Sequence, residues 1–469
     1  MLFNSLDFFI FLPIVFLLYW TVTKKSLKLQ NFLLLIASYV FYGWWDYRFL
    51  SLIAISTVVD YYVGLNLHMS SNKSLKTKWL WVSILFNLGL LCFFKYFNFF
   101  IDSWIDLFSS FGYEVQNTWT LKIILPVGIS FYTFQTMSYS IDIYREKLKP
   151  TKDFVAFAAF VSFFPQLVAG PIERASHLLP QILEKRKFSK IQSIKGIELM
   201  IWGMFKQVVI ADSLAPVVRD IFSNYSDYSG GTLMLGAIFF AFQIYCDFSG
   251  YSDIAIGTAK LFGFDLMTNF NFPYFSRSIG EFWRKWHISL STWFRDYLYI
   301  PIGGSKVGKT KGIRNVFIIF LVSGFWHGAN WTFIFWGGIH ALLFIPSFVL
   351  GTNRKHLESN AMNQNIFLSI KNFVKILYTF FVVTIAWIFF RAASIKDAFA
   401  YIKGMNSFIV DSTSYIMYSD ILFIFILIFF DFLRYKQIKI NLLIWVIMII
   451  TIIGSLNREI QSEFIYFQF

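Results

Sequence analysis

The sequence predicts an all-α protein that crosses a membrane many times. Of its 469 residues, 57% are hydrophobic and 21% are aromatic, and only 14% are charged, whereas soluble domains are about one quarter charged. One water-soluble core cannot bury so much apolar surface, so lipid must surround most of it. Apolar runs of about 20 residues, the length of a membrane-spanning helix, recur along the chain, and we expect about eleven membrane segments, including broken or re-entrant ones.

Twelve apolar stretches are the candidate membrane segments, and some of them are too long or too short for a single helix. They lie near residues 5–23, 29–45, 49–67, 79–100, 119–141, 154–170, 194–216, 231–262, 313–350, 366–390, 417–433 and 439–455. No internal repeat, heptad pattern or low-complexity tract divides the sequence. We therefore expect one integral membrane domain over residues 1–469.

The basic residues orient these segments. The net charge is +14, but a nucleic-acid-binding protein gathers its basic residues on one solvated face, whereas here they form short clusters between apolar stretches. Nucleic acid is therefore not an expected partner. Such clusters mark cytoplasmic loops, and they follow the first, third and fifth segments: Lys24, Lys25, Lys28; Lys73, Lys76, Lys78; Arg145, Lys147, Lys149, Lys152. Because the intervening connections are more acidic, we expect the amino terminus outside the cytoplasm.

Residues 301–310, PIGGSKVGKT, match the nucleotide-binding pattern G-x-x-x-x-G-K-[ST]. A P-loop needs a buried strand before it and a water-exposed helix after it, where backbone N–H groups hold phosphate. Here the next residues are KGIRNVFIIFLVSGFWHG, which is apolar enough for a helix in lipid. We interpret the match as a coincidence in a basic cytoplasmic loop.

One stretch of the first half, residues 154–180, is broken by Pro165, Gly170 and Pro171 and lies between two basic clusters. If both clusters are cytoplasmic, the stretch enters the membrane and returns. Non-helical backbone survives at membrane depth only where protein or a water-filled cavity surrounds it. We expect a re-entrant element that lines a site.

A second unusual stretch, residues 269–310, is rich in aromatic residues and yet too charged for a lipid-facing helix. We expect interfacial helices around a polar interior, with three tryptophans at the boundary, Trp283, Trp286 and Trp293.

His327 is the leading candidate for a catalytic residue. Between residues 313 and 350 the only ionisable side chains are Arg314, His327 and His340, and a single helix of that length would be about 57 Å long, nearly twice the hydrocarbon thickness. The segment must therefore break or extend far outside the membrane, and Gly324, Gly328 and Asn330 are the natural positions for a break. Since His327 lies about 20 Å from Arg314 along a helix, we expect it deep in the membrane, facing a cavity. The alternative is a neutral histidine that bridges helices.

His287 is the second candidate. It lies in WRKWHISLSTWFRDY, between Lys285 and the Arg295–Asp296 pair, and a neighbouring cation favours the neutral imidazole, which can accept a proton or orient a partner. The alternative is the polar face of an interfacial helix. His340 lacks the glycine setting, and we interpret it as structural.

Two aspartates, Asp247 and Asp253 in YCDFSGYSDIAIG, form either a polar lining or a helix break that Asp caps. Carboxylates near a histidine can also indicate a metal site, but no His-x-x-x-His or Cys/His spacing is present, and we expect no metal ion. The residues that we expect to line a substrate channel are Asp247, Asp253, Trp283, Arg284, Arg295, Asp296 and Asn330.

Three blocks, in this order, resemble the membrane-bound O-acyltransferase family: SFFPQLVAGPIERASHLLPQI, DFSGYSDIAIGTAKLFGFDLMTNFNFPYFSRSIGEFWRKWHISLSTWFRDYLYIPIGG and SGFWHGANW. The amino-terminal MLFNSLDFFIFLPIVFLLYW and LPVGISFYTFQTMSYSIDIYR are similar to its alginate O-acetyltransferase membrane-subunit branch. The signature core covers about residues 154–350. The resemblance implies a ring of helices around a thinned centre with two funnels, with His327 at the catalytic position and His287 at the second active-site position.

The resemblance also implies the reaction. An acetyl group would pass from a cytoplasmic thioester, acetyl-CoA, to a hydroxyl of an extracytoplasmic polysaccharide, alginate-like or peptidoglycan. No cofactor would be bound permanently. An extracytoplasmic acetyltransferase- or esterase-like partner protein would complete the transfer, at a bacterial cytoplasmic (inner) membrane.

Two other classes of function stay open at this point. A transporter or flippase for an envelope precursor would use buried His and Asp residues as a permeation path, but it would show paired half-repeats, which the sequence lacks. A non-catalytic scaffold would tolerate the loss of His327. The polymer, the acyl length and the oligomeric state are not readable from the sequence.

Overall fold

The computed structural model describes residues 1–113, 120–353, 370–411, 418–456 and 465. In these residues the chain forms α-helices joined by short 3-10 and π-helical turns, with no strand. The predicted all-α class is therefore confirmed. The chain divides into two compact units, Met1–Leu199 with Ala255–Met267, and Met200–Ile254 with Thr268–Phe469. The single domain over residues 1–469 stays a prediction.

The first unit contains the helices of the amino-terminal half. They are α1 (Leu6–Thr21), α2 (Leu27–Asp46), α3 (Leu50–Met69), α4 (Lys73–Leu91), α5 (Phe97–Ser110), α6 (Ile129–Tyr144), α7 (Phe154–Ser162), α8 (Ala175–Leu183) and the first part of α9 (Lys190–Met204). Several begin at a side chain that accepts a hydrogen bond from a backbone N–H of the first turn, which otherwise has no partner. These N-caps are Ser5, Ser26, Asn72 and Asp153.

The second unit contains the helices that carry both candidate histidines. They are α10 (Asp212–Ser223), most of α11 (Gly230–Leu261), α12 (Ile279–Lys285), α13 (Ile288–Phe294), α14 (Lys309–His327), α15 (Trp331–Val349), α16 (Ile370–Arg391), α17 (Ile395–Gly404), α18 (Tyr418–Tyr435) and α19 (Leu442–Leu456).

Helical runs long and apolar enough to cross a membrane occur throughout the described chain. By length and composition there are six, Leu27–Met69, Lys73–Ser110, Lys190–Ser223, Gly230–Leu261, Trp331–Val349 and Ile370–Arg391, with two shorter apolar helices, Leu6–Trp20 and Leu442–Leu456. The protein is therefore a multi-pass membrane protein. The number of eleven segments, the ring and the funnels stay predictions.

The break predicted in residues 154–180 is present. Helix α7 ends at Ser162, and the backbone up to the start of α8 is non-helical and yet buried. Some of its backbone N–H groups have protein partners: Phe164 N donates to Ser38 Oγ at 3.0 Å, and Gly170 N donates to the Gln166 carbonyl at 3.0 Å. Surrounding protein thus replaces the water that such backbone needs. A re-entrant path for this element stays a prediction.

The long run from residue 313 to 350 is also broken, as predicted, between α14 and α15. These helices pack with their backbones in near contact, because a Cβ at Gly324 would lie 2.2 Å from the Phe333 carbonyl oxygen and one at Gly337 would lie 2.3 Å from that of Phe320. Gly324 lies inside α14 and serves this close packing, not the break. The break itself follows His327, the last residue of α14.

One of the two alternatives for Asp247 and Asp253, the helix break, is wrong. Helix α11 continues without interruption through Asp247 and Asp253, so neither aspartate caps a helix break. In the stretch from 269 to 310, Trp286 and Trp293 are buried inside the unit, and their position at the membrane boundary stays a prediction.

Candidate active site

His327 lies at the end of α14 in a pocket of aromatic rings. Its side chain is almost fully buried, with 3% of the residue exposed. The ring centroid is 5.0 Å from that of Trp326, 5.2 Å from Trp336 and 5.4 Å from Phe390. Helix α14 rises about 27 Å between Lys309 and His327 at 1.5 Å per residue.

His287 lies beside His327, although 40 positions separate them in the sequence. The two ring centroids are 6.4 Å apart with a 60° angle between the planes. His287 is fully buried and links α12 to α13 with a backbone in the left-handed region, at φ +43°. Burial lowers the pKa of His287, so its neutral form predominates.

The neighbours of His287 differ from those predicted. Lys285 is committed to Glu281, with 3.0 Å between its Nζ and the carboxylate, and the predicted Arg295–Asp296 pair is closed at 2.6 Å. The ring of His287 instead packs edge-to-face against Phe248, with centroids 4.6 Å apart. Burial, rather than a nearby cation, keeps this imidazole neutral.

A hydrogen bond fixes which nitrogen of His287 carries the proton. The Nδ1 atom lies 3.0 Å from Asn269 Oδ1, and the same oxygen accepts from the backbone N–H of Ser289 at 3.3 Å. A backbone N–H can only donate, so the amide atom that faces it must be the oxygen. His287 Nδ1 therefore carries the proton, and in the neutral ring Nε2 keeps its lone pair.

The carboxylate of Glu281 in α12 stays ionised although it is buried. Burial alone would raise its pKa, but hydrogen bonds from Arg277 and the positive charge of Lys285 outweigh burial and hold the pKa at about 2. The Arg277 Nε and Lys285 Nζ atoms each lie 3.0 Å from a carboxylate oxygen. Two cations thus share one carboxylate, and the cluster keeps Glu281 ionised while it carries a net positive charge.

A cavity of about 590 Å³ lies between α13, α14 and α15. Its walls are mainly apolar, and Ser323 on its wall lies one helical turn before His327. Two cationic residues, Arg295 and Lys309, line it together with Gly308 at the amino-terminal end of α14. The basic loop that matched the P-loop pattern thus forms part of a cavity wall, and the residues described before α14 form turns and a π-helical segment, not a strand.

Some of the predicted channel residues line the cavity, and others make hydrogen bonds to neighbouring parts of the chain. Trp283 and Arg295 line the cavity; Arg284 donates to the Asn353 carbonyl at 2.7 Å, and Asn353 is also a lining residue. Asn330 caps α15 by accepting from Thr332 N at 2.9 Å, which gives it a structural task.

The two aspartates of α11 belong to other polar networks. Asp247 accepts from the backbone N–H of Ile465 at 2.7 Å. Asp253 pairs with Lys206, whose Nζ lies 2.8 Å away, and Arg434 Nη1 lies 3.9 Å from the same carboxylate oxygen. In these positions both carboxylates tie distant segments together, and a channel role for them stays a prediction.

His340 occupies a structural setting. Trp283 Nε1 donates to its Nδ1 at 3.3 Å, and its ring lies 4.8 Å from that of Trp336 and 5.0 Å from that of Trp283. Among the described residues no group of three His, Cys, Asp or Glu side chains could hold a metal ion, and the expectation of a metal-free site stays a prediction.

Sequence reasoning missed three residues that shape the site. Asn269 orients His287, Ser323 connects the cavity to the His327 end of α14, and Lys309 lines the cavity. A polar residue shortly after a long apolar helix, as in MTNFNFPY, is the signal that could have drawn attention to Asn269.

Comparison with known proteins identifies the family. The profile of the MBOAT, membrane-bound O-acyltransferase family matches residues 72–390, which is more than half of the chain. The chain belongs to the membrane-bound O-acyltransferase family. The matched range contains both histidines, the cavity and α11–α15. The candidate site of this membrane-bound O-acyltransferase therefore lies within the part of the chain that matches the family.

Relatives with assigned activities extend the comparison. The chain is 41% identical over 410 residues to the probable alginate O-acetylase AlgI of Pseudomonas aeruginosa, covering 87% of this chain and 75% of the relative. It is 36% identical over 434 residues to the peptidoglycan O-acetyltransferase of Helicobacter pylori, covering 86% and 80%. It is 28% identical over 236 residues to the teichoic acid D-alanyltransferase of Streptococcus thermophilus, covering 48% of this chain and 57% of the relative. This membrane-bound O-acyltransferase is therefore an enzyme that transfers acyl groups to hydroxyl oxygens.

Proposed function

We propose that the protein transfers an acetyl group from cytoplasmic acetyl-CoA to a hydroxyl of an extracytoplasmic polysaccharide, with His327 as general base. The observation that carries the proposal is the pair of buried imidazoles, whose ring centroids lie 6.4 Å apart. Neither histidine lines the cavity of about 590 Å³, but Ser323 on its wall lies one helical turn before His327. Ligand sites typically have volumes of about 300–1,000 Å³. The names of the relatives support a polysaccharide as the acceptor.

The proposed reaction needs one proton carrier. His327 accepts the proton of the acceptor hydroxyl while the hydroxyl oxygen attacks the thioester carbonyl carbon. The C–O bond forms, the C–S bond breaks, and the imidazolium returns the proton to the departing thiolate. A histidine suits both steps because its basicity lies near neutral pH.

His287 has a narrower set of possible roles. Because its Nδ1–H points to Asn269, the neutral ring presents a lone pair at Nε2, which accepts hydrogen bonds and cannot donate one. It therefore orients the acceptor by receiving a hydrogen bond from it. Stabilising the negative charge on the thioester carbonyl oxygen would require a donor, which His287 could supply only when protonated.

We propose the cavity as the binding site of the acyl donor, acetyl-CoA. Its apolar walls suit the acyl and pantetheine part of acetyl-CoA, and Ser323 brings that wall to within one helical turn of His327. Lys309, Gly308 and Arg295 suit the phosphates, since the start of a helix and cationic side chains attract anions. Arg295 also pairs with Asp296 at 2.6 Å, so Lys309 contributes the larger share of uncompensated charge.

The cellular setting is part of the proposal. The basic loops support a bacterial cytoplasmic membrane with the amino terminus outside, and the donor would enter from the cytoplasm. A separate extracytoplasmic acetyltransferase- or esterase-like protein would deliver the acetyl group to the polymer. Alginate-like polysaccharide and peptidoglycan are both acceptors that the relatives' names suggest.

The test compares His327→Ala with the wild type at equal membrane abundance. Alkali-releasable acetate on envelope and secreted polysaccharide should fall by about 10²- to 10⁴-fold, the usual contribution of a general base. His68→Ala, at an exposed histidine, is the matched control and should leave acetate unchanged. Acetate that survives the loss of His327 would contradict the proposal.

A second measurement separates chemistry from transport. The purified protein in detergent should release free CoA from acetyl-CoA in the presence of an acceptor, and His327→Ala should not. A transporter or flippase has no compartments to connect in detergent and would give no such release.

A further inference from the structure

Asn269 holds His287 in one tautomer and one orientation. We propose that Asn269 is a positioning residue of the transfer reaction, which acts by presenting Nε2 of His287 to the acceptor. The inference rests on the proposed function for its catalytic meaning. Its structural content, the tautomer of His287, can be measured independently of any activity.

The contacts of Asn269 form a chain from α11 to the active site. The side chain is fully buried, and its Nδ2 donates to Ser252 Oγ on α11 at 3.1 Å. Its Oδ1 accepts from His287 Nδ1 at 3.0 Å and from Ser289 Oγ at 2.9 Å. The two serine hydroxyls can donate or accept, but the backbone N–H of Ser289 can only donate, so its bond to Oδ1 excludes a flip that would turn the amide nitrogen toward the histidine.

Asn269 also fixes the backbone that carries His287. The Asn269 carbonyl accepts from Ile288 N at 2.9 Å, and its side-chain oxygen accepts from Ser289 N at 3.3 Å. His287 itself has φ +43°, a left-handed conformation that costs energy for a residue other than glycine and persists where its surroundings hold it. The two N–H groups that follow the histidine are thus held by the residue that holds its ring.

Aromatic packing does not replace this hydrogen bond. Phe248 and Phe270 lie against the imidazole, with centroids 4.6 Å and 6.5 Å away, and they restrict the plane of the ring. Ring packing does not distinguish Nδ1 from Nε2, because the two nitrogens have nearly the same size. A hydrogen-bond acceptor at one edge does, and Asn269 Oδ1 supplies it.

The activity test uses two replacements of Asn269, both of which remove the amide donor to Ser252; only one of them keeps an acceptor for His287, and that one adds a negative charge. Asn269→Leu keeps the approximate volume and removes the acceptor, and we expect kcat to fall by about 10- to 100-fold, the usual cost of losing a residue that orients a functional histidine. The KM for acetyl-CoA should stay within about twofold, since donor binding is not touched. Asn269→Asp keeps an acceptor and should recover most of kcat.

The pH profile distinguishes positioning from general support. In Asn269→Asp a carboxylate faces Nδ1–H and stabilises the imidazolium, so the acid limb of the kcat profile should appear at higher pH than in the wild type. A purely structural role predicts an unshifted profile. The matched control is Asn271, an exposed asparagine two residues away, whose Leu and Asp variants should leave kcat and the pH profile unchanged.

A spectroscopic test decides the inference even if no acetyl transfer occurs. In the ¹⁵N NMR spectrum of histidine-labelled protein, the His287 signals are those that vanish in His287→Gln, and they should report a proton on Nδ1. Asn269→Leu should shift population toward the tautomer with the proton on Nε2. A wild-type ring protonated on Nε2, or an unchanged tautomer in Asn269→Leu, would overturn the inference. An inactive wild type with the expected tautomer would instead overturn only the proposed function.

Discussion

Gly337 lies where α14 and α15 come closest, and its replacement by alanine should damage the active site more than the fold. A Cβ at this position would lie 2.3 Å from the Phe320 carbonyl oxygen, whereas real Cβ atoms essentially never approach a neighbour within 3.0 Å. The obstacle is backbone, which cannot rotate away. The two helices must therefore separate by about 0.7 Å at this point.

The energetic cost of this separation is small because two effects oppose each other. Overpacking costs about 1–3 kcal/mol, and alanine regains about 1 kcal/mol of helix propensity over glycine, so we expect a net loss of about 0–2 kcal/mol and a folded protein. The activity loss should be larger. Trp336, next in the chain, packs 5.2 Å from His327, and a displacement of about 1 Å can cost about 100-fold in rate. We expect a loss of about 10- to 100-fold in acetyl transfer.

The next glycine supplies the control for this experiment. A Cβ at Gly338 would meet only Leu321 Cδ2 at 3.7 Å, an ordinary contact. Gly338→Ala should keep wild-type activity and gain up to about 1 kcal/mol of stability. Both variants are assayed for transfer and for thermal stability in detergent at equal abundance. Gly337→Ala with the same activity as Gly338→Ala would refute the coupling between helix approach and catalysis.

Two further predictions concern polar networks away from the histidines. Lys206→Met should destabilise the protein by about 1–3 kcal/mol, less than the loss of a fully buried pair, because Asp253 loses the cation 2.8 Å away but its side chain is 21% exposed and Arg434 Nη1 lies 3.9 Å from the same oxygen. Thermal unfolding measures the loss, and Lys195→Met, at an exposed lysine, is the unaffected control. Asp411→Ala should speed amide exchange of Ser229, whose N–H donates to this carboxylate at 2.7 Å. That N–H is the main cause of the lowered pKa of Asp411. The two proteins should therefore differ in the exchange rate of Ser229 above about pH 4, and this difference should be lost as the pH falls through the lowered pKa. A difference in exchange rate that persists at lower pH would contradict this.

The position of His327 was readable from the sequence because it follows from lengths. A run of apolar residues longer than a membrane is thick must break, and the structure ends α14 at His327. The role of Gly324 was not readable. A glycine that ends a helix and a glycine that lets two helices touch look alike in a sequence, and only the distance to the Phe333 carbonyl separates them.

Partners that are distant along the chain could not be predicted for a similar reason. Asp253 was recognisable as a costly carboxylate at membrane depth, but its partner Lys206 lies 47 positions earlier, in a π-helical segment of an apolar run. For His287 the sequence suggested Lys285 as a neighbour, but Lys285 pairs with Glu281, and His287, which has a left-handed backbone, bonds Asn269 instead. The spatial neighbours of a side chain can be predicted from its sequence neighbours only where the backbone forms regular secondary structure.

The distribution of charge in the second unit favours the histidines over the carboxylates as the reacting groups. Asp253 is paired with Lys206, and Glu281 is paired with Arg277 and Lys285. A carboxylate held by a buried cation is a weak base, because accepting a proton would leave that cation unbalanced. A neutral imidazole carries no charge to compensate at rest, and yet it accepts a proton near neutral pH. The group able to take a proton from an alcohol and return it to a thiolate within this apolar surrounding is therefore an imidazole, which is why the proposed proton transfer is assigned to His327, with His287 as the hydrogen-bond acceptor beside it.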